Sequence, residues 1–233
     1  MSTWEGKHLL IDGGRRNSNV AERLKGLRVP QIDVMIATNP DADHIGGLVE
    51  VLRTMPVKEV WLSGDINTTI VFEDFVDAVE LSKAKVHAAR QGDIIRLGSL
   101  SLEVLSPMEP LFPDRNNNSV AVRLEFGRIS FMFTGDMEQP AESRLVQSGI
   151  NLKSTFLKLG HHGSRTSTSP AFLAAVSPQV AIYQAGANNR YGHPHRETLA
   201  LLDRAGVEVY GTGVNGQITI RTDGISYSIE TER

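Results

Sequence analysis

The sequence predicts an α/β fold on three observations: short apolar, β-type runs recur along the chain, helical stretches alternate with them, and the runs end in polar or glycine-rich turns. In chain order, a strand at 8–11 closes on Asp12-Gly13-Gly14 and a helix over 19–27 follows it. The apolar run 33–37 ends at a polar stretch and then at Gly46-Gly47, with a helix over 45–55. Strand 59–62, helix 69–83 and strand 85–88 repeat the alternation, and a strand is expected at 100–105. Strands at 120–126 and 129–134 flank Gly127-Arg128, and helix 139–148 follows. Strand 156–159, helix 170–176, strand 180–184, helix 196–205 and strand 208–211 continue the pattern, and two strands at 217–221 and 226–230 close it. With 233 residues, 40% of them hydrophobic, the chain can bury a substantial core and is read as one domain, 1–233.

Composition excludes several chemistries. A formal net charge of −3 gives no overall basic excess, so any contact with a polyanion must be local. There are no cysteines, which removes disulfides, thiolate zinc sites and a cysteine nucleophile; a metal would have to use nitrogen and oxygen ligands. No stretch approaches the roughly 20 apolar residues needed to cross a bilayer, and the start lacks a long apolar segment, so a soluble, unexported chain is expected as written.

The unusual residues fall where predicted strands end, which is where α/β folds gather ligands and catalysts. Asn39-Pro40-Asp41-Ala42-Asp43-His44-Ile45-Gly46-Gly47 packs carboxylates, an amide and an imidazole behind an apolar strand. Its carboxylates suit hard divalent cations and His44 supplies nitrogen. The competing reading is a turn and helix start with Asp43 as the cap. Asp136 ends Phe131-Met132-Phe133-Thr134-Gly135-Asp136, a placement equally open to an oxygen ligand or an ordinary turn. His161-His162-Gly163-Ser164 and Tyr191-Gly192-His193-Pro194-His195 put four histidines into two loops, whereas His8 and His87 sit at strand positions and are read as structural.

Taken together, Leu10-Ile11-Asp12-Gly13-Gly14, the 39–47 block, Asn116-Asn117-Asn118-Ser119, Thr134-Gly135-Asp136, Gly160-His161-His162-Gly163-Ser164 and Asn189-Arg190-Tyr191-Gly192-His193-Pro194-His195 resemble the metallo-β-lactamase domain of ComEC-type competence proteins, in order over nearly the whole chain. The resemblance implies a four-layer αββα sandwich with a metal centre holding one or two divalent ions, manganese or zinc or magnesium. It implies a metal set of Asp43, His44 and His193, with Asp136 bridging to a first ion near Asn39 and Asp41, and Asp12 orienting a ligand. His161 or His162 would hold a scissile phosphate oxygen or protonate the leaving group, with Asp43 and His195 as further catalytic candidates. Because successive residues of extended chain face opposite ways, one of the 161/162 pair is expected to enter the centre. Ser164, Arg165, Arg190 and Asn117 are candidate substrate contacts.

Two departures from the family pattern matter. Asn39 and Asp41 stand where the pattern has histidines, which makes the first site oxygen-rich and leaves open a manganese or magnesium ion, a single metal, or lost catalysis. The chain also begins only about ten residues before Leu10-Ile11-Asp12, so the first N-terminal strand of the family is expected to be missing. Three functions fit: a nuclease or phosphodiesterase acting on DNA, a hydrolase of small or cell-wall phosphoesters of the choline phosphate type, and a non-catalytic binding module. The resemblance also sets an extracytoplasmic location for an excised domain against a cytoplasmic one for a stand-alone chain.

Overall fold

The computed structural model describes residues 1–233, and its backbone forms two compact units, Met1–Val120 and Ala121–Arg233. The first unit runs β1 (Leu9–Ile11), α1 (Val20–Gly26), β2 (Ile32–Ala37), α2 (Ala42–Ile45), α3 (Leu48–Thr54), β3 (Val57–Leu62), α4 (Ile70–Ser82), β4 (Lys85–Ala88), β5 (Ile94–Leu97) and β6 (Leu100–Ser106). Strands β1 to β4 form a parallel sheet in sequence order. All six residues of β2 are buried, as a parallel strand covered on both faces requires. Met35 and Val60 of the sheet pack with Leu48 and Leu52 of α3 and with Phe75 and Val79 of α4 in one core. Strands β5 and β6 make an antiparallel hairpin.

The second unit runs β7 (Ala121–Phe126), β8 (Ile129–Phe133), α5 (Gln139–Gln147), β9 (Phe156–Lys158), α6 (Pro170–Val176), β10 (Val180–Tyr183), α7 (Arg196–Arg204), β11 (Glu208–Gly211), α8 (Thr212–Asn215), β12 (Ile218–Thr222) and β13 (Tyr227–Thr231). Within it β7 pairs antiparallel with β8, and β8, β9, β10 and β11 are successive parallel neighbours. Strands β12 and β13 form an antiparallel hairpin. The β12–β13 hairpin covers an aromatic core in which the Phe131 and Phe156 rings stack at 4.8 Å and Tyr227 meets Phe156 edge-on at 4.8 Å.

Three local expectations are corrected. The helix expected over 45–55 is two short helices, α2 and α3, joined at Gly46-Gly47. The reason is a close backbone approach: a Cβ on Gly46 would lie 2.7 Å from the Arg16 nitrogen. One on Gly47 would meet the Gly13 carbonyl oxygen closer still. Because α2 already starts at Ala42, Asp41 rather than Asp43 occupies the cap position, and its side chain makes no capping bond. Strand β5 is not among the strands expected; its four residues alternate exposed and buried, too short a run to stand out in the sequence.

Candidate metal centre

In the first unit the site residues gather at the C-terminal ends of β1 and β2. Asp12 leaves β1 with φ of 56°, a left-handed conformation that aspartate tolerates better than most residues. Its carboxylate accepts the Thr38 backbone N–H at 2.8 Å, the Thr38 hydroxyl at 2.7 Å and His44 Nδ1 at 2.8 Å. An ionised carboxylate only accepts, so Nδ1 of the buried His44 carries the proton and Nε2 keeps its lone pair. That is the tautomer a metal ligand needs, with the acidic partner that commonly orients one.

The neighbouring oxygen donors are already engaged. Asn39 Oδ1 accepts the Asp41 backbone N–H at 2.9 Å, and Asp41 Oδ1 accepts Asn67 Nδ2 at 2.8 Å with Arg115 at 3.4 Å. Asp43 meets Arg15 at 3.2 Å. Asn117 is buried and donates to Asp114 at 2.7 Å.

In the second unit Asp136 follows β8 and is 4% exposed. The turn Gly160–Gly163 follows β9, and within it His161 and His162 have φ of 45° and 57°. The expected alternation of extended chain therefore does not apply. Two successive left-handed residues curl the backbone so that both imidazoles face one carboxylate, His161 Nε2 at 3.8 Å and His162 Nε2 at 3.7 Å from Asp136. Each ring is pinned from behind: His161 Nδ1 lies 2.8 Å from Glu138 Oε1, and His162 Nδ1 lies 2.8 Å from the Gln184 carbonyl oxygen. Both partners accept, so each ring carries a proton on Nδ1 and, when neutral, offers Nε2 on the side of Asp136.

The His193 ring completes the group, 5.4 Å from the His161 centroid and 6.2 Å from that of His162. His195 stands 4.8 Å from His193 and differs in kind. Its Nδ1 accepts the Arg165 backbone N–H at 3.0 Å, which places the neutral ring's proton on Nε2 and makes it a donor rather than a ligand.

These donors fit a divalent cation. The Asp136 to imidazole separations exceed hydrogen-bond length, and a buried carboxylate with two imidazole nitrogens within 4 Å is a nitrogen and oxygen donor set of the kind divalent cations take. Asn39 fits less well, because its neutral amide oxygen already accepts a hydrogen bond, and Asp41 has Oδ1 held by Asn67.

The surrounding loop is held by carboxylates that sequence reading missed. Glu138 accepts the Thr166 hydroxyl at 2.7 Å besides orienting His161, and Ser164 Oγ lies 2.9 Å from Thr166 Oγ1. Buried Glu142 accepts the backbone N–H groups of Thr168 and Ser169, while Ser169 caps α6 by accepting from the Phe172 N–H. Burial raises the Glu142 carboxyl above its ordinary value, and hydrogen bonds from Ser169 and Thr168 pull the other way. Arg190 donates to the Tyr191 hydroxyl at 2.6 Å and lies over that ring, and the Arg165 side chain is exposed. Thr38 and Glu138 each stand two or fewer residues from a motif aspartate or asparagine; that adjacency is the one signal the sequence offered for them.

Each unit carries at its strand ends a His/Asp group of the kind that holds a metal. Residues 5–186 match the metallo-beta-lactamase superfamily, and the chain belongs to it. Among curated proteins it is 35% identical over 197 residues to ComE operon protein 3 of Bacillus subtilis, covering 84% of this chain and 25% of that protein. It is 30% identical over 216 residues to competence protein ComA of Neisseria gonorrhoeae, covering 91% of this chain and 29% of that one. The chain thus spans between a quarter and a third of the length of these relatives. A solved structure of the metallo-beta-lactamase fold protein YhfI from Bacillus subtilis superposes with a TM-score of 0.57 at 15% identity, covering 90% of this chain and 86% of that one, and shows the shared fold. No helix is long and apolar enough to cross a membrane.

Proposed function

We propose that the chain is a phosphodiesterase that cleaves DNA, and that Met1–Val120 and Ala121–Arg233 act as one domain, a reading supported by the family match running from residue 5 to 186 through both. The observation that carries the reading is the array around Asp136, where two histidines turn Nε2 towards the carboxylate with their Nδ1 protons fixed from behind. The competence-protein relatives support nucleic acid as the substrate. His44 in the first unit, and Asp136, His162 and His193 in the second, are proposed as metal ligands. Asp43, Asn39 and Asp41 are proposed for a second, weaker oxygen-rich site suited to manganese or magnesium rather than zinc. When bound, such an ion polarises a phosphoryl oxygen and acidifies water.

The chain's own residues supply orientation and protons. Asp12 holds His44 in the required tautomer, and the Gln184 carbonyl does the same for His162. His161, backed by Glu138, can carry a proton on Nε2 and deliver it to the leaving oxygen while Glu138 stabilises the imidazolium. The Nε2–H of His195 is available to a phosphate oxygen, and Ser164, Arg165, Arg190 and Asn117 are the proposed further contacts to the substrate backbone. Metal-stripped protein resupplied with manganese, zinc or magnesium is expected to cleave single-stranded DNA and bis(p-nitrophenyl) phosphate, with both activities lost in Asp43→Ala and His193→Ala. Cleavage of the small diester or of a choline phosphate ester without DNA cleavage would move the assignment to a small-molecule phosphoesterase. No turnover with any of the metals would refute a hydrolase and leave a binding module.

A further inference from the structure

A cavity of about 240 Å³ opens in the first unit at the C-terminal ends of β2 and β3, beneath α4. Its walls are apolar, with Leu62, Phe72, Phe75 and Val79 among them, and exposed Ile66 and Val76 stand at its mouth. Two residues of that lining carry a buried polar atom without a hydrogen-bond partner. Asn39 is 1% exposed and also lines the cavity, and its Nδ2 is buried without a hydrogen-bond partner. The amide orientation is settled, because Oδ1 accepts the Asp41 N–H and a backbone N–H can only donate. Asp65, on the loop after β3, lines the same cavity with a buried Oδ2 that likewise has no partner.

A buried donor and a buried carboxylate oxygen left without partners are destabilising until a ligand meets them. An apolar slot that keeps both is therefore suited to a flat ring whose edge presents an acceptor beside an N–H donor. We propose that this cavity is a nucleobase subsite, with Asn39 Nδ2 donating to a ring nitrogen or carbonyl oxygen and Asp65 Oδ2 accepting from the adjacent N–H. The ring faces would rest against the Phe and Val walls. The functional meaning rests on the nucleic-acid reading above, since a base of the bound strand would seat here. Asn39 would then meet the base through Nδ2, while its Oδ1 stays on the side of the Asp41 N–H and the proposed oxygen-rich site.

The test uses nucleosides, which lack phosphate and cannot engage a metal centre. Titrating the metal-free full chain with deoxycytidine or thymidine is expected to shift the Asn39 side-chain amide resonance and the backbone resonances of 63–66. Val76→Trp, which fills the mouth from an exposed position, and Asp65→Ala should each weaken that binding at least tenfold while the remaining spectrum shows an intact fold. With base-bearing and base-free diesters, Val76→Trp should raise KM only for the former. Nucleoside binding without any hydrolysis sustains the subsite and sinks the phosphodiesterase reading. DNA cleavage unaffected by Val76→Trp, with no nucleoside shifts, overturns the subsite alone. Shifts produced by an apolar peptide but by no nucleoside overturn it in favour of a protein-docking groove.

Discussion

Asp12→Asn changes a single atom and should separate tautomer control from packing. The wild-type carboxylate accepts three hydrogen bonds, two from Thr38 at 2.8 and 2.7 Å and one from His44 Nδ1 at 2.8 Å. An asparagine can keep its oxygen on the Thr38 backbone N–H, but its NH2 then faces His44 and the Thr38 hydroxyl. The hydroxyl can turn and accept; the imidazole can accept only by moving its proton to Nε2. The Nε2 lone pair is then lost, and metal affinity should fall by about 10–100-fold, equivalent to about 1.4–2.7 kcal/mol. Loss of the charge-assisted bonds should cost the metal-free fold about 1–3 kcal/mol, which urea unfolding measures separately. Competition for zinc and manganese against a chromophoric chelator gives the affinities. Thr38→Val is the control, since it removes a hydroxyl and leaves the Asp12–His44 bond, so its metal affinity should change by less than about threefold. A folded Asp12→Asn protein that binds metal as tightly as wild type would refute the assignment of His44 as a ligand oriented by Asp12.

Other outcomes follow from neighbouring geometry. Glu138→Ala should lower kcat on a phosphodiester by about 10–100-fold with metal content unchanged, and Glu138→Gln, which retains an acceptor for His161 Nδ1, should recover much of it; equal losses in both variants would contradict a positioning role. Gly47→Ala forces a Cβ into the Gly13 carbonyl and should destabilise by about 1–3 kcal/mol, whereas Gly26→Ala, with nothing within 4 Å, should stabilise by about 0.4–1 kcal/mol in chemical denaturation. The Glu142 carboxyl is raised by burial, so the folded chain holds that proton to higher pH than the unfolded one. Its contribution is fully present below the unfolded value of 4.5 and is lost as pH rises through the folded value. Wild type should therefore gain stability relative to Glu142→Gln as pH is lowered from about 7.5 to about 5, and a constant difference in urea midpoints would count against it.

The strand-end positions of Asp12, Asn39, Asp136 and His161 could be anticipated from the chain alone, because the apolar runs before them have the composition of buried strands. The α6 boundaries were equally clear, with Ser169 and Pro170 at its start. What escaped were features without a residue signature. A backbone carbonyl holds His162, and any residue at position 184 carries one. Consecutive left-handed histidines are unexpected, since non-glycine residues seldom adopt positive φ, so their shared aim at Asp136 was hidden. The hydrogen bond that occupies Asn39 Oδ1 depends on a turn only two residues long, and the sequence alone leaves that amide free to point either way.

The contact of the loop after β1 with the α2–α3 junction is made by main chain against main chain, with Gly13, Gly46 and Gly47 each closed to a Cβ by backbone atoms. Side chains at an interface can be exchanged in compensating pairs, but here there is nothing to trim on the opposite face. Drift at these positions therefore has no partner mutation to rescue it. Asp12 and His44, carried on the two sides of that seam, share one rigid mount, so the distance between them is insulated from changes in the rest of the core.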